Sequence, residues 1–190
     1  MDESQHRFRL RLATWKDIPA VEELIDVSVR VLQRGDYSPE QLDAALGTVF
    51  GVDTQLIADE TYYVLEVVGS AEAKRIIACG GWSMRKTLYG SDHGPYRDSE
   101  LLDPKRDAAK IRAFFVHPDW VRRGLASTIL KTCEEAAYAR GFRRFEMGAT
   151  LTGVPMYEAR GYRKDEVVDA PLRDGLTLTV VKMSKRVATG

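Results

Sequence analysis

Residues 110 to 149 constrain the fold most, because they spell out a strand, a hard stop, a helix and a second strand. The apolar run Ile111-Arg112-Ala113-Phe114-Phe115-Val116 halts at His117-Pro118, so a strand is expected over 110–117. Leu125, Ile129, Leu130, Cys133 and Ala137 then recur at helical spacing, predicting a helix over 122–140 with Gly141 as its stop. A further strand is expected over 142–149. Two strands joined by a crossover of this length can pair in parallel.

The helix start is unusual: Val121-Arg122-Arg123-Gly124-Leu125-Ala126-Ser127. A helix N-terminus carries partial positive charge and favours acids, so two arginines there do not serve the helix. Cations beside a row of unpaired N–H groups suit a docked anion. Gly124 and Ala126 have almost no side chain, which lets a phosphate approach the backbone. The stretch reads as a pyrophosphate site and so as a coenzyme site. The plainer reading is a helix start with solvated arginines. A mononucleotide loop is disfavoured, since no Gly-x-x-x-x-Gly-Lys-Ser/Thr pattern is present.

Around this unit the pattern is mixed α and β. Residues 7–12 alternate strictly, as a half-buried strand does. Asp17 can cap a helix with Pro19 in its first turn and Ile18, Val21, Leu24, Ile25 and Leu32 as its apolar stripe. Ser38-Pro39-Glu40 opens a second helix running to about Val49, and Asp53 caps a short third one. Strands are expected over 61–68 and 75–84, with Gly80-Gly81 as a bulge or close approach. Residues 85–107 read as a long loop, where function concentrates. A short helix near 154–160 and strands over 162–170 and 175–184, turned at Asp174-Gly175, complete the order.

The 190 residues fit one domain, expected over 1–190 with residues 1–6 outside its ordered part. Lys+Arg and Asp+Glu balance at 28 each, so net charge argues for neither nucleic acid nor membrane as a partner. Cys79 and Cys133 lie in apolar stretches and read as core residues. No apolar signal core and no run near the roughly 20 residues of a membrane span are present, so a cytoplasmic location is expected. His6, His93, His117 and the cysteines show no metal-ligand spacing, and no metal is expected.

The chain resembles the GNAT superfamily of acyl-CoA-dependent N-acyltransferases. Two motifs carry the resemblance: Val121-Arg122-Arg123-Gly124-Leu125-Ala126, for the family's Arg/Gln-x-x-Gly-x-Gly/Ala, and Tyr157-Glu158-Ala159-Arg160-Gly161-Tyr162. Both stand in the family's order and spacing, and the strong likeness covers about residues 110–165. It implies an α/β fold of α+β type: a mostly antiparallel central sheet with one splayed parallel pair, flanked by helices. It implies acetyl-CoA as co-substrate, held by Phe115, Val116, His117, Arg122, Arg123, Gly124, Leu125, Ala126, Ser127, Thr152 and Tyr157. A homodimer follows from family habit alone. The sequence departs from the pattern at Val121, at Thr152 where many relatives carry Asn, and at Lys110 and Arg112 where some place a glutamate. Arg122 and Arg123 must then supply any side-chain contact to phosphate.

The implied activity is direct transfer of acetyl to a primary amine, expected to be a small molecule. The alternatives are a protein lysine or N-terminus as acceptor, and a non-catalytic acyl-CoA sensor. Tyr157 is the expected general acid toward the leaving thiolate. A lysine-like amine has a pKa near 10.4, so about one molecule in a thousand is neutral near pH 7. Glu66 and His93, with Asp92, are the candidate bases. Tyr37, Trp82, Arg85 and Tyr89 form the expected acceptor pocket, with core or surface placement as the plain alternative.

Overall fold

The strands expected from the sequence come together in a single sheet. The computed structural model describes residues 7–69, 74–95 and 97–187, so the expectation about residues 1–6 lies outside the described residues. The strands are β1 (Arg7–Leu12), β2 (Tyr62–Val68), β3 (Ile76–Ser83), β4 (Ala109–Val116), β5 (Arg144–Thr150), β6 (Arg163–Pro171) and β7 (Thr177–Arg186). They stand in the order β1-β2-β3-β4-β5-β7-β6. Every neighbouring pair is antiparallel except β4 and β5, which are parallel as the strand–helix–strand unit predicts.

Helices cover both faces. On one face, α1 (Ile18–Leu32), α2 (Pro39–Ala45) and α3 (Thr54–Ala58) bury Val21, Leu24, Ile25, Leu42 and Leu56 against Tyr62 and Val64. On the other, α4 (Leu125–Ala139) and α5 (Val154–Glu158) bury Ile129, Leu130, Cys133 and Tyr157 against Ile77, Trp82 and Phe145. Each full burial of a Val, Leu or Ile side chain contributes about 1.5–3 kcal/mol. Both cysteines are buried and free.

Several boundaries differ from expectation for local reasons. α2 ends at Ala45, because the chain folds back at Gly47, whose φ is 84° and whose N–H donates to the Phe50 carbonyl at 2.7 Å. α4 begins at Leu125 rather than 122, because Arg122 and Gly124 hold φ of 62° and 77°, outside the helical region. Asp17 stands before α1 without capping it. Its carboxylate accepts from the Thr14 N–H at 2.7 Å and from both Arg11 Nη atoms at 2.8 Å. The Arg11 guanidinium holds the Asp17 carboxyl down at about 2.

Two distortions open the middle of the sheet. β4 carries one extra residue between its pairs with Cys79 and Gly81, and Ala113 there takes φ 56°. The bulge turns Arg112 and Ala113 to the α1 face and Phe114 to the α4 face. Phe114 lies flat over Gly80, where a Cβ would come within 2.8 Å of its ring. Meanwhile β4 and β5 pair only at Ala109–Phe145 and Lys110–Glu146, then diverge. Among the described residues, no helix is long and apolar enough to cross a membrane.

Candidate active site

The divergence of β4 from β5 leaves a cleft of about 690 Å³ through the sheet, lined from both faces. From the α4 face come Gly124, Leu125, Ala126, Ser127, Met156 and Tyr157; from the α1 face come Ser28, Leu32, Gln33, Phe50 and Arg112. Backbone groups of β4 beyond Lys110 have no partner strand on the β5 side. The His117 N–H donates to the Ile77 carbonyl at 2.8 Å, toward β3. Amide directions alternate along a strand, so the Val116 N–H points into the cleft.

The start of α4 forms one end of this cleft. Gly124 is its N-cap, without a side-chain cap, so the first-turn N–H groups lack side-chain partners. Nothing lies within 4 Å of a Cβ built on Gly124, so its glycine is demanded by the backbone angle and not by crowding. Arg122 is exposed and lines the cleft. Arg160 lines it too and donates from Nε to the Ser127 Oγ at 3.0 Å, tying the end of α5 to α4. These features fit a pyrophosphate: free backbone donors, a cation on each side and no bulk in the way. Phe115, Val116, Leu125, Ala126, Ser127 and Thr152 also line the cleft, with the Thr152 Oγ1 2.5 Å from the Asp36 carboxylate.

Two of the residues expected at the coenzyme lie elsewhere. Arg123 stacks its guanidinium 4.7 Å from the Trp120 ring centroid and is absent from the cleft wall. The His117 ring accepts from the Asp119 N–H at 3.2 Å and meets Arg75 at 2.8 Å, outside the cleft.

Tyr157 sits where the cleft walls meet. It is buried, packs edge-on against Phe114 at 6.3 Å and Tyr162 at 5.9 Å, and lines the cleft. Burial pushes its phenol well above the ordinary tyrosine range, so it keeps its proton through neutral pH. That state suits an acid and not a base.

The expected bases are not placed for that role. Glu66 is buried on the α1 face of β2, where Arg9 and Arg11 hold its carboxylate, the latter at 2.9 Å; it does not line the cleft. Cross-strand arginines make it a buried ion pair and not a free base. His93 is exposed on the long loop, away from the cleft. Asp92 accepts the Thr54 N–H at 3.0 Å and pairs with Arg97 at 3.3 Å.

The expected acceptor pocket divides in the same way. Tyr89 lines the cleft, seated over Gly148, where a Cβ would lie 2.9 Å from its ring. Trp82 is a core residue on the α4 face, edge-on to Phe142 at 6.0 Å. Arg85 forks onto Asp59 at 2.7 and 2.9 Å. Tyr37 is a buried brace: its O–H donates to the Thr179 carbonyl at 2.7 Å and accepts the Leu151 N–H at 2.8 Å. Burial pushes its phenol up to about 12.

A buried ion network builds the remaining wall. Arg112, 5% exposed, pairs with the wholly buried Asp53 at 2.6 Å and donates to the Gly90 carbonyl at 2.6 Å. Arg97 reaches Asp53 at 3.1 Å and the Ser91 carbonyl at 3.2 Å. Asp53 also caps α3 through the Gln55 N–H. The sequence signals for this network are Arg112, a charge within the apolar run 111–116, and Asp53, read as a helix cap.

Comparison with known proteins agrees with the fold. Residues 102–187 match the model of the acetyltransferase (GNAT) domain. No curated protein matches the sequence. Among solved structures, a GCN5-related N-acetyltransferase from Rhodopseudomonas palustris is similar at TM-score 0.65 and 20% identity, over 98% of this chain and 99% of that one. The PaiA N-acetyltransferase of Thermoplasma acidophilum, solved with coenzyme A, is similar at TM-score 0.63 and 12% identity, over 95% and 99%. The ribosomal-protein-S18-alanine N-acetyltransferase of Escherichia coli is similar at TM-score 0.58 and 13% identity, over 97% and 96%.

Proposed function

We propose, from the premise that this chain belongs to the GNAT superfamily, that it moves acetyl from acetyl-CoA directly to the primary amine of a small molecule. The observation that carries this reading is the meeting, in one cleft, of an unpaired β4 edge, an uncapped α4 start and a buried phenol. Acetyl-CoA supplies an activated acyl group as a thioester. The α4 N–H groups with Arg122 and Arg160 hold its diphosphate. The open edge of β4 receives the extended arm as an added strand would be received. The Val116 N–H faces the acyl oxygen and stabilises the negative charge that grows there.

The amine nitrogen attacks the acyl carbon, and the C–N bond forms as the C–S bond breaks. Tyr157 gives its phenolic proton to the departing sulfur and regains one from solvent. The excess proton on nitrogen leaves to water. We favour a small acceptor because the transfer centre beside Tyr157 is recessed between β4 and β5, and the expected setting is cytoplasmic.

Thermal unfolding with acetyl-CoA tests the binding half of the proposal. Ligand at about 100 times its dissociation constant adds roughly 2.7 kcal/mol, which is several degrees for a chain of this size. That shift is expected for the natural chain and not for a folded Ala126→Glu variant, whose carboxylate enters the anion site. No shift with any acyl-CoA removes the reading.

A further inference from the structure

We propose that the acceptor is a weakly basic aromatic amine, uncharged at neutral pH, and not an alkylammonium such as a polyamine or a lysine side chain. This rests on the acyl-transfer reading above. Among the described residues, no Asp, Glu, His or Lys side chain lines the cleft. Its ionisable groups are Arg112, Arg122 and Arg160 with Tyr89 and Tyr157. Arg112 is already matched by Asp53, which lies behind it with no exposed surface.

An alkylammonium entering such a cleft would lose hydration and meet cations and dipoles along its lining, the nearby Asp36 carboxylate being engaged by the Thr152 hydroxyl. Burying an unpaired charge is among the costliest steps a site can demand. A neutral arylamine avoids both difficulties. It brings its lone pair ready, and its excess proton becomes acidic only once the C–N bond has formed, so water can take it. No step then needs a carboxylate or imidazole.

The walls away from α4 suit such a molecule. Leu32, Val49, Phe50, Leu88 and Tyr89 present apolar and aromatic surface. The bare Cα of Gly148 lets the Tyr89 ring settle against β5, where it presents a flat aromatic face as part of the cleft wall. Gln33, also lining the cleft, has a buried Oε1 without a hydrogen-bond partner. That atom can accept one N–H of a neutral amine after a small side-chain adjustment, and it offers an ammonium no compensating charge.

The test measures CoA release by the full chain with acetyl-CoA and a matched pair of acceptors, 4-methylaniline and benzylamine, with spermidine and a lysine peptide beside them. The expected result at pH 7 is a kcat/KM at least about a hundredfold higher for 4-methylaniline. Its profile should be flat from pH 6 to 9, while benzylamine gains about tenfold per pH unit as it deprotonates. Leu88→Glu, which adds an anion to the wall, should raise spermidine turnover at least tenfold; where that variant does not fold, the two pH profiles decide. Preference for benzylamine, spermidine or the peptide at pH 7 overturns this inference and leaves acetyl transfer standing. Bound acetyl-CoA with turnover of none of them overturns both.

Discussion

The two ends of the cleft are built by opposite means. At the α4 end the working groups are backbone: the free amides of a glycine-capped helix and the bare edge of β4. The side chains of the anion site itself, Arg122, Gly124, Ala126 and Ser127, are small or exposed, so little of the fold's stability depends on them. At the α1 end Arg112 is the charge in the wall, and behind it buried Asp53 with half-buried Arg97 and Asp92 joins α3, β4 and the loop before it. A site made of amides can be changed with the fold intact. A wall backed by buried ions cannot, since removing Asp53 leaves the buried Arg112 without its matching charge.

The sharpest way to break this contrast is Asp53→Ala. It strands Arg112 and removes the α3 cap, and about 3–5 kcal/mol should be lost, or roughly 10 °C in melting midpoint. A midpoint within 2 °C of the natural chain would mean the wall is not held by its charges. Tyr157→Phe should do the reverse. Turnover should fall about a hundredfold, near 2.7 kcal/mol of barrier, while the melting midpoint and acetyl-CoA affinity hold; equal turnover would remove the acid role.

Tyr37→Phe leaves the Leu151 N–H and Thr179 carbonyl without their shared partner, a loss of about 1–3 kcal/mol measurable by urea unfolding. Acidification probes the charges outside the cleft. Asp17 has a depressed folded pKa of about 2, so its contribution is present above the unfolded value near 3.8 and is lost as pH falls between the two. After solvent screening this should amount to about 1 kcal/mol. Asp17→Asn should flatten that stretch of the stability curve. Gly124→Ala should be mildest for the fold, about 1 kcal/mol through its left-handed backbone, yet should weaken acetyl-CoA several-fold.

The same contrast explains what the sequence could tell. The strand–stop–helix–strand order and the motif at the α4 start were legible because their causes are local: apolar spacing, Pro118, Gly124. The helix start was misplaced by three residues because the left-handed turn at Arg122 leaves no mark in composition. Trp82 and Tyr37 look the same in sequence whether they face a cleft or a core. Only Phe142, Thr179 and Leu151, each remote along the chain, decide the matter. Glu66 reads in sequence as a candidate base, but Arg9 and Arg11 of the neighbouring strand engage it. Long-range pairing of this kind is what periodicity does not record.

The short parallel join between β4 and β5 has a mechanical meaning. Four strands on one side and three on the other are fastened across the sheet by two residue pairs and the Lys110–Glu146 contact at 2.6 Å. The sheet thus has a seam at its centre, and whatever lies along the open edge of β4 stitches it. Amide hydrogens of Phe114 and Val116 should therefore exchange quickly in the free protein and slowly once the seam is filled, making substrate entry an act of welding two half-sheets into one.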